Sequence, residues 1–236
     1  WILVGGLRHD RSSSKADDSE RESIRADTRR LGLLYAFPSG WSPYLSYTES
    51  FTPQTGRTEE GALYKPLRGK QTEAGLKYLP ADGRLSANLA VYHLKEKNRE
   101  IADVDNPRFG LQVDSSTNRG VEVEVTAKVS PSLALLGYYS FLDRDRKLGG
   151  LPRHQAAIWG RYGFSVAGVS GFTTGAGVRY ISAQNDVTVT ETGPRVPSAT
   201  LLDLMFAYDI PQWRFALNVN NATDRRYWAF QYAGYI

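Results

Sequence analysis

The sequence predicts an all-β protein whose strands form the wall of an antiparallel transmembrane β-barrel. Three observations predict it. Apolar and polar side chains alternate through one segment after another, the period of a strand with two unlike faces. The connections between those segments alternate between tight turns and long polar stretches. Aromatic rings gather at strand ends.

The alternation is clearest near the middle and the end of the chain. In "NRGVEVEVTAKV", Val121, Val123, Val125 and Ala127 alternate with Glu122, Glu124, Thr126 and Lys128. In "RFALNVNN", Phe215, Leu217 and Val219 alternate with Arg214, Ala216, Asn218 and Asn220. The same reading places strands at Trp1 to Arg8, Arg25 to Phe37, Trp41 to Ser50, Gly69 to Leu79, Arg84 to Lys95 and Asn118 to Val129. It continues through Ser132 to Leu142, Pro152 to Phe164, Gly171 to Ser182, Ser198 to Tyr208 and Gln212 to Asn221. These are about eleven strands of ~9–13 residues, long enough to cross a bilayer when tilted.

"FPSG", "PADG", "VSPS" and "DIPQ" are tight turns, with the stretch around Gly168 to Gly171 a slightly longer one. Between them lie the long connections His9 to Ile24, Phe51 to Arg68, Glu96 to Thr117, Asp143 to Leu151 and Ala183 to Pro197. Strict short–long alternation is the habit of outer-membrane barrels, with short turns inside the cell envelope and long loops outside. Tyr35, Phe37, Trp41, Phe141, Tyr162, Phe164, Phe206, Tyr208 and Trp213 stand at strand ends beside the turns, where a barrel carries its aromatic girdle. A soluble β-sandwich predicts the same alternation and reads those rings as core.

Composition narrows the class further. The chain has 236 residues, no cysteine and a formal net charge of +4. A chain without Cys has neither a disulfide framework nor a thiolate metal site. Mean hydropathy is −0.41. No stretch approaches the ~18 consecutive apolar residues of a membrane helix, which leaves barrel strands untouched because they hide apolar residues at alternate positions. Basic residues are scattered, not gathered on one face, so nucleic acid is not an expected partner. His9, His93 and His154 lie far apart without ligand spacing, and no metal site is expected. No signal peptide opens the chain. The expectation is a cytoplasmic protein or a piece of a longer chain.

Several segments, in order, resemble the TonB-dependent siderophore receptors of Gram-negative outer membranes. They are "YLSYTESFTPQTG", "LRGKQTEAGLKY", "AVYHLKEKN", "NRGVEVEV", "LPRHQAAIW", "VPSATLLDLMFAYDI" and "WRFALNVNNATDRRYW", and they cover nearly the whole chain. The resemblance implies roughly half of a 22-stranded barrel, about eleven consecutive strands, with no plug, no TonB-binding box and no last strand. It implies one partial barrel domain over residues 1–236. It also implies uptake of a ferric siderophore, energised through the TonB–ExbB–ExbD complex by way of a plug. No enzyme activity and no cofactor are expected, iron entering only within the siderophore. A passive outer-membrane channel and a soluble β-sandwich binding module stay open as alternatives.

Ferric siderophores are large and partly aromatic or anionic, so rings to stack on and guanidinium donors suit them. The candidate contacts are Tyr64 and Phe109 in two long loops, and Arg225, Arg226, Trp228, Tyr232 and Tyr235 in the last one. Outer-membrane lipid and lipopolysaccharide are the other expected partners, with Arg11, Arg21, Arg25, Arg29 and Arg30 candidates for lipopolysaccharide phosphates.

Overall fold

The computed structural model describes residues 1–14, 22–59, 61–102, 110–145, 150–185 and 195–228. The strands are β1 (Ile2–Ser14), β2 (Glu22–Leu34), β3 (Trp41–Thr52), β4 (Leu67–Tyr78), β5 (Leu85–Lys97), β6 (Arg99–Ala102), β7 (Gly110–Val113) and β8 (Ser116–Lys128). They continue as β9 (Leu133–Asp143), β10 (His154–Val166), β11 (Val169–Ile181), β12 (Gln184–Asn185), β13 (Arg195–Val196), β14 (Ala199–Ile210) and β15 (Trp213–Val219). Eleven of them form one antiparallel sheet in the order β1-β2-β3-β4-β5-β8-β9-β10-β11-β14-β15. Each long strand pairs with its neighbours in sequence, and β1 and β15 pair on one side only. The other four make short hairpins, β6–β7 and β12–β13, inside two long connections.

Short turns and long loops alternate as expected. The tightest turn joins β10 to β11, where Val166 pairs with Val169 across Ala167 (φ 49°) and Gly168 (φ 81°). Two successive positive φ values match the twist of a two-residue hairpin, and glycine adopts one of them without steric cost. The strand thus restarts at Val169, two residues before the expected Gly171.

At three places the structure departs from the sequence reading. Residues 9–13 and 23–24, expected in a loop, are paired strand, with Arg11 opposite Arg25 and Ser13 opposite Ser23. Both faces of the hairpin are polar there, so alternation fades while backbone pairing continues. The β6–β7 and β12–β13 hairpins were not expected either. Phe141 lies at the long-loop end of β9 and packs on His154 (ring centroids 5.1 Å apart), away from the short-turn girdle.

Cross-strand pairing sorts the side chains into two faces. Leu45, Leu76, Leu89, Val91, Val121, Val123, Val125, Ile158, Val178, Leu202, Leu204, Phe206, Phe215, Leu217 and Val219 share one face. Tyr44, Glu73, Tyr92, Glu96, Asn118, Glu122, Glu124, Arg179, Asp203 and Asn218 share the other. Among the described residues, every buried residue of the large sheet, including Ala26, Ala90, Leu201 and Ala207, lies on the polar face. That crowding marks the inner side of a curled sheet. The apolar face keeps Leu3, Leu45, Ile158, Phe215 and Leu217 more than half exposed. Among the described residues no second sheet covers it, so the sandwich alternative has no second layer. An apolar surface this continuous fits lipid.

Rings edge the short-turn end of that face. Trp1 packs on Tyr35, Tyr35 on Phe37, and Trp41 on Tyr78, with centroids 4.3–4.6 Å apart. Phe164, Phe172 and Tyr208 continue the row across the later strands.

Candidate functional site

The site predicted from sequence lies at the long-loop end. Tyr64 is buried, at 3% exposure. Its hydroxyl donates to the Gly110 carbonyl at 2.9 Å and accepts from the Gly110 N–H at 2.7 Å. Its ring lies flat on Gly56, leaving no room there for a Cβ. Both the ring face and the hydroxyl are occupied, so Tyr64 joins two loops and presents no stacking face.

Two glutamines reinforce that junction. Gln54 Nε2 donates to the carbonyls of Lys65 and Asn98 at 2.6 and 2.7 Å. Gln112 Nε2 donates to the Lys65 carbonyl at 2.7 Å, and Gln112 Oε1 accepts from Lys65 N–H at 3.0 Å. Asn98 Nδ2 closes the set on the Pro66 carbonyl at 2.9 Å. Loop backbone that has left the sheet must find such partners or water.

The last loop begins on an inner-wall ion pair. Arg179 Nε meets Asp203 Oδ2 at 2.5 Å, and Nη2 meets Oδ1 at 3.1 Å. Asp203 Oδ1 also accepts from the Asn221 N–H at 2.9 Å. The Asn221 side chain then brackets Arg225, its Oδ1 accepting from the Arg225 N–H at 3.0 Å and its Nδ2 donating to the carbonyl at 2.9 Å. Asn221 (φ 52°) and Asp224 (φ 49°) take the left-handed turn that Asn and Asp tolerate best. Arg225, Arg226 and Trp228 emerge from this root exposed, Trp228 at 70%. Phe109, Tyr232 and Tyr235 lie outside the described residues.

Sequence reasoning missed Arg179, Asp203 and Asn221 as a unit. The available signal was a charged residue of each sign on the inner positions of neighbouring strands. At the head of another loop, burial lowers the Arg144 guanidinium from its ordinary value, and Arg153 beside it adds to the effect.

Below the loops the inner wall is aromatic and acidic. Tyr44 donates to Glu73 at 2.7 Å, and Gln71 Nε2 donates to the same carboxylate at 3.0 Å. Tyr44, Tyr92 and Trp159 lie flat over Gly75, Gly120 and Gly177, where a Cβ would collide with each ring. Glu96, buried at 6% exposure, holds Arg99 through two hydrogen bonds and receives Asn118. An open cleft of about 520 Å³ lined by Arg84, Lys128 and Arg161 sits at the opposite, short-turn end.

A meandering sheet with a lipid-ready outer face, a polar inner wall and loops rooted on that wall is a sector of an outer-membrane barrel. The TonB-dependent receptor-like β-barrel model matches residues 1–222, and the chain belongs to that family. The chain is 34% identical over 250 residues to the ferrioxamine B receptor of Salmonella typhimurium, covering 96% of this chain and 35% of that protein. It is 33% identical over 226 residues to the ferrichrome outer membrane transporter/phage receptor of Escherichia coli, covering 90% of this chain and 30% of that protein. It therefore spans about a third of the length of the relatives it matches. Among solved structures, the ferric preacinetobactin receptor of Acinetobacter baumannii superposes with a TM-score of 0.75 at 22% identity, over 96% of this chain and 36% of that one. At that identity the likeness shows the fold. Barrels of this family sit in the outer membrane of Gram-negative bacteria, and they are receptors, not enzymes.

Proposed function

We propose that this chain is part of an outer-membrane receptor for ferric siderophores, energised through TonB. The observation that carries the reading is the last loop. Its Arg225, Arg226 and Trp228 stand exposed on a root clamped to the inner wall by Asp203 and Asn221. Exposed guanidinium donors beside an exposed indole, held in a defined place, suit a ligand that is both oxygen-rich and flat. Arg225, Arg226 and Trp228, with Phe109, Tyr232 and Tyr235, are the proposed contacts. Tyr64 acts behind them by holding two loops together. The relatives named for ferrioxamine B and ferrichrome make those two the first ligands to try.

On this reading residues 1–236 form one partial barrel domain, and iron is cargo within the siderophore. Coupling to TonB–ExbB–ExbD runs through a plug domain outside this stretch. Lipid and lipopolysaccharide surround the outer face. The test is a full-length receptor in cells lacking other siderophore receptors, with radiolabelled iron supplied as ferric ferrioxamine B or ferrichrome. TonB-dependent uptake is the expected result. Equal uptake with and without TonB points to a passive channel instead.

A further inference from the structure

At the short-turn end of the inner wall three cations stand in one row. The Lys128 N–H donates to the Arg84 carbonyl at 2.7 Å, which carries the β5–β8 pairing one residue past Leu85 and Ala127 and sets Lys128 opposite Arg84. Lys128 pairs with Ala134 on β9, and Ala134 pairs with Arg161 on β10. The row lies on the face that carries Glu122, Glu124 and Trp159 higher up. Arg84, Lys128 and Arg161 are exposed, and among the described residues none of them has an ion pair or a side-chain hydrogen bond. Arg179, nearer the loops on the same wall, holds Asp203.

Like charges directly opposite work against strand pairing. Lysines can protect a sheet edge, but β5, β8 and β10 are paired on both sides. Neither pairing nor edge protection accounts for the row.

The three cations line one cleft of about 520 Å³, within the range of roughly 300–1,000 Å³ that small-molecule sites occupy. Ala134 keeps it open across β9, setting only a methyl group between the long side chains of Lys128 and Arg161. Ser130 also lines it. Its hydroxyl oxygen accepts from the N–H groups of Ser132 and Leu133 at 3.2 and 3.0 Å, which leaves its O–H to donate. The one carboxylate of the lining, Asp82, accepts from the Arg84 N–H at 3.1 Å, so three cations face a single anion.

We infer that Arg84, Lys128 and Arg161 bind a small polycarboxylate, with one carboxylate between Arg84 and Lys128 and a second at Arg161. Guanidinium groups meet carboxylates in a two-pronged geometry, and the lysine supplies a mobile point charge between them. Neighbouring strands lie ~4.8 Å apart, so Lys128 and Arg161, two strands apart, are separated by roughly 10 Å at the backbone. Their side chains converge on less than that, the span of a short di- or tricarboxylic acid. The bound acid offsets the repulsion between Arg84 and Lys128 and thereby firms the β5–β8 pairing. Short turns face the inside of the cell envelope, so the ligand is a solute of that compartment. This site is separated from the long-loop site by the height of the wall.

The test uses the full-length receptor purified in detergent, titrated calorimetrically with citrate and with acetate, and melted in the presence of each. The wild type is expected to bind citrate more tightly than acetate and to melt at a higher temperature with citrate, because a ligand held by the folded state stabilises it. The triple variant Arg84→Gln/Lys128→Gln/Arg161→Gln is expected to weaken citrate binding by at least roughly tenfold, equivalent to one charge-assisted contact of about 1.4 kcal/mol. Lys128→Gln alone, the smallest break in the row, is the second variant and should show a partial loss. Heat-modifiable migration checks that both are folded. The control Arg68→Gln/Lys70→Gln/Lys95→Gln removes as many cations from the outer face, where Lys70 opposes Lys95, and should bind citrate as the wild type does. Wild-type receptor that ignores citrate, or holds acetate equally well, overturns the inference. So does a folded triple variant that keeps its citrate affinity, or a control that loses as much. Ferric siderophore binding by the same samples is a separate readout. Its absence counts against the receptor reading and leaves the polycarboxylate site standing.

Discussion

The hydroxyl of Tyr64 and the backbone of Gly110 exchange two hydrogen bonds across 46 residues of chain, one in each direction. A single side chain thereby supplies both a donor and an acceptor to the first residue of β7, welding the β3–β4 loop to the β6–β7 hairpin. The loops so joined stand together at the long-loop end of the sheet.

Removing that hydroxyl leaves the part-buried N–H and C=O of Gly110 without their partner. Tyr64→Phe should cost roughly 1–3 kcal/mol locally, the price of unsatisfied buried polar groups. Hydrogen exchange in the full-length receptor should quicken in residues 54–58 and 110–113 while the strands beneath stay protected. Unchanged exchange in both segments means that the glutamine clamp alone holds the loops.

The Arg179–Asp203 pair should govern the geometry of the last loop. The Asp203 side chain is 12% exposed and that of Arg179 42%, so the pair is partly screened. Asp203→Asn keeps the shape and removes the charge, and a loss of roughly 1–2 kcal/mol is expected after that screening. The same change should weaken siderophore binding although Asp203 lies at the root of the loop and not at its exposed tip. A drop in thermal stability with binding untouched separates support of the barrel from support of the loop.

Trp228 is the most exposed ring of the described last loop. Trp228→Ala in the full-length receptor should lower ferric siderophore affinity about ten- to a hundredfold, the range for truncating a stacked aromatic anchor. Fluorescence quenching titrations on purified receptor measure it. Wild-type affinity with normal surface display moves the contacts to Phe109, Tyr232, Tyr235 or the plug.

Val123 and Glu122 are sequence neighbours on opposite faces. Val123→Arg places a cation against lipid and should cost roughly 2–4 kcal/mol near the midplane. Glu122→Gln, on the wet inner wall, should be tolerated by the barrel. Heat-modifiable migration of the full-length protein reports both. Equal tolerance of the two changes contradicts the assignment of faces.

The eleven long strands and their two faces were legible in the residues wherever one face meets lipid and the other water. There Val121, Val123 and Val125 must alternate with Glu122 and Glu124, because a one-residue slip would carry every glutamate into hydrocarbon. The turns were legible too, since Pro, Asp and Gly carry their own backbone geometry. Above the membrane that contrast vanishes. Residues 9–13 and 23–24 and the hairpins β6–β7 and β12–β13 are wet on both sides, so pairing leaves no period in the sequence.

Contacts between distant segments belong to the tertiary structure alone. Tyr64 reads as an exposed loop ring until the fold brings Gly110 to its hydroxyl and Gly56 beneath its ring. Arg179, Asp203 and Asn221 are three unremarkable polar residues until strand register sets them side by side. Lys70 faces Lys95 only because the β4–β5 turn sets the register between them. Local alternation chooses a side chain's face; the partner it meets there depends on how far the next strand has slid, and that is settled by turn geometry and the summed pairing of the whole sheet.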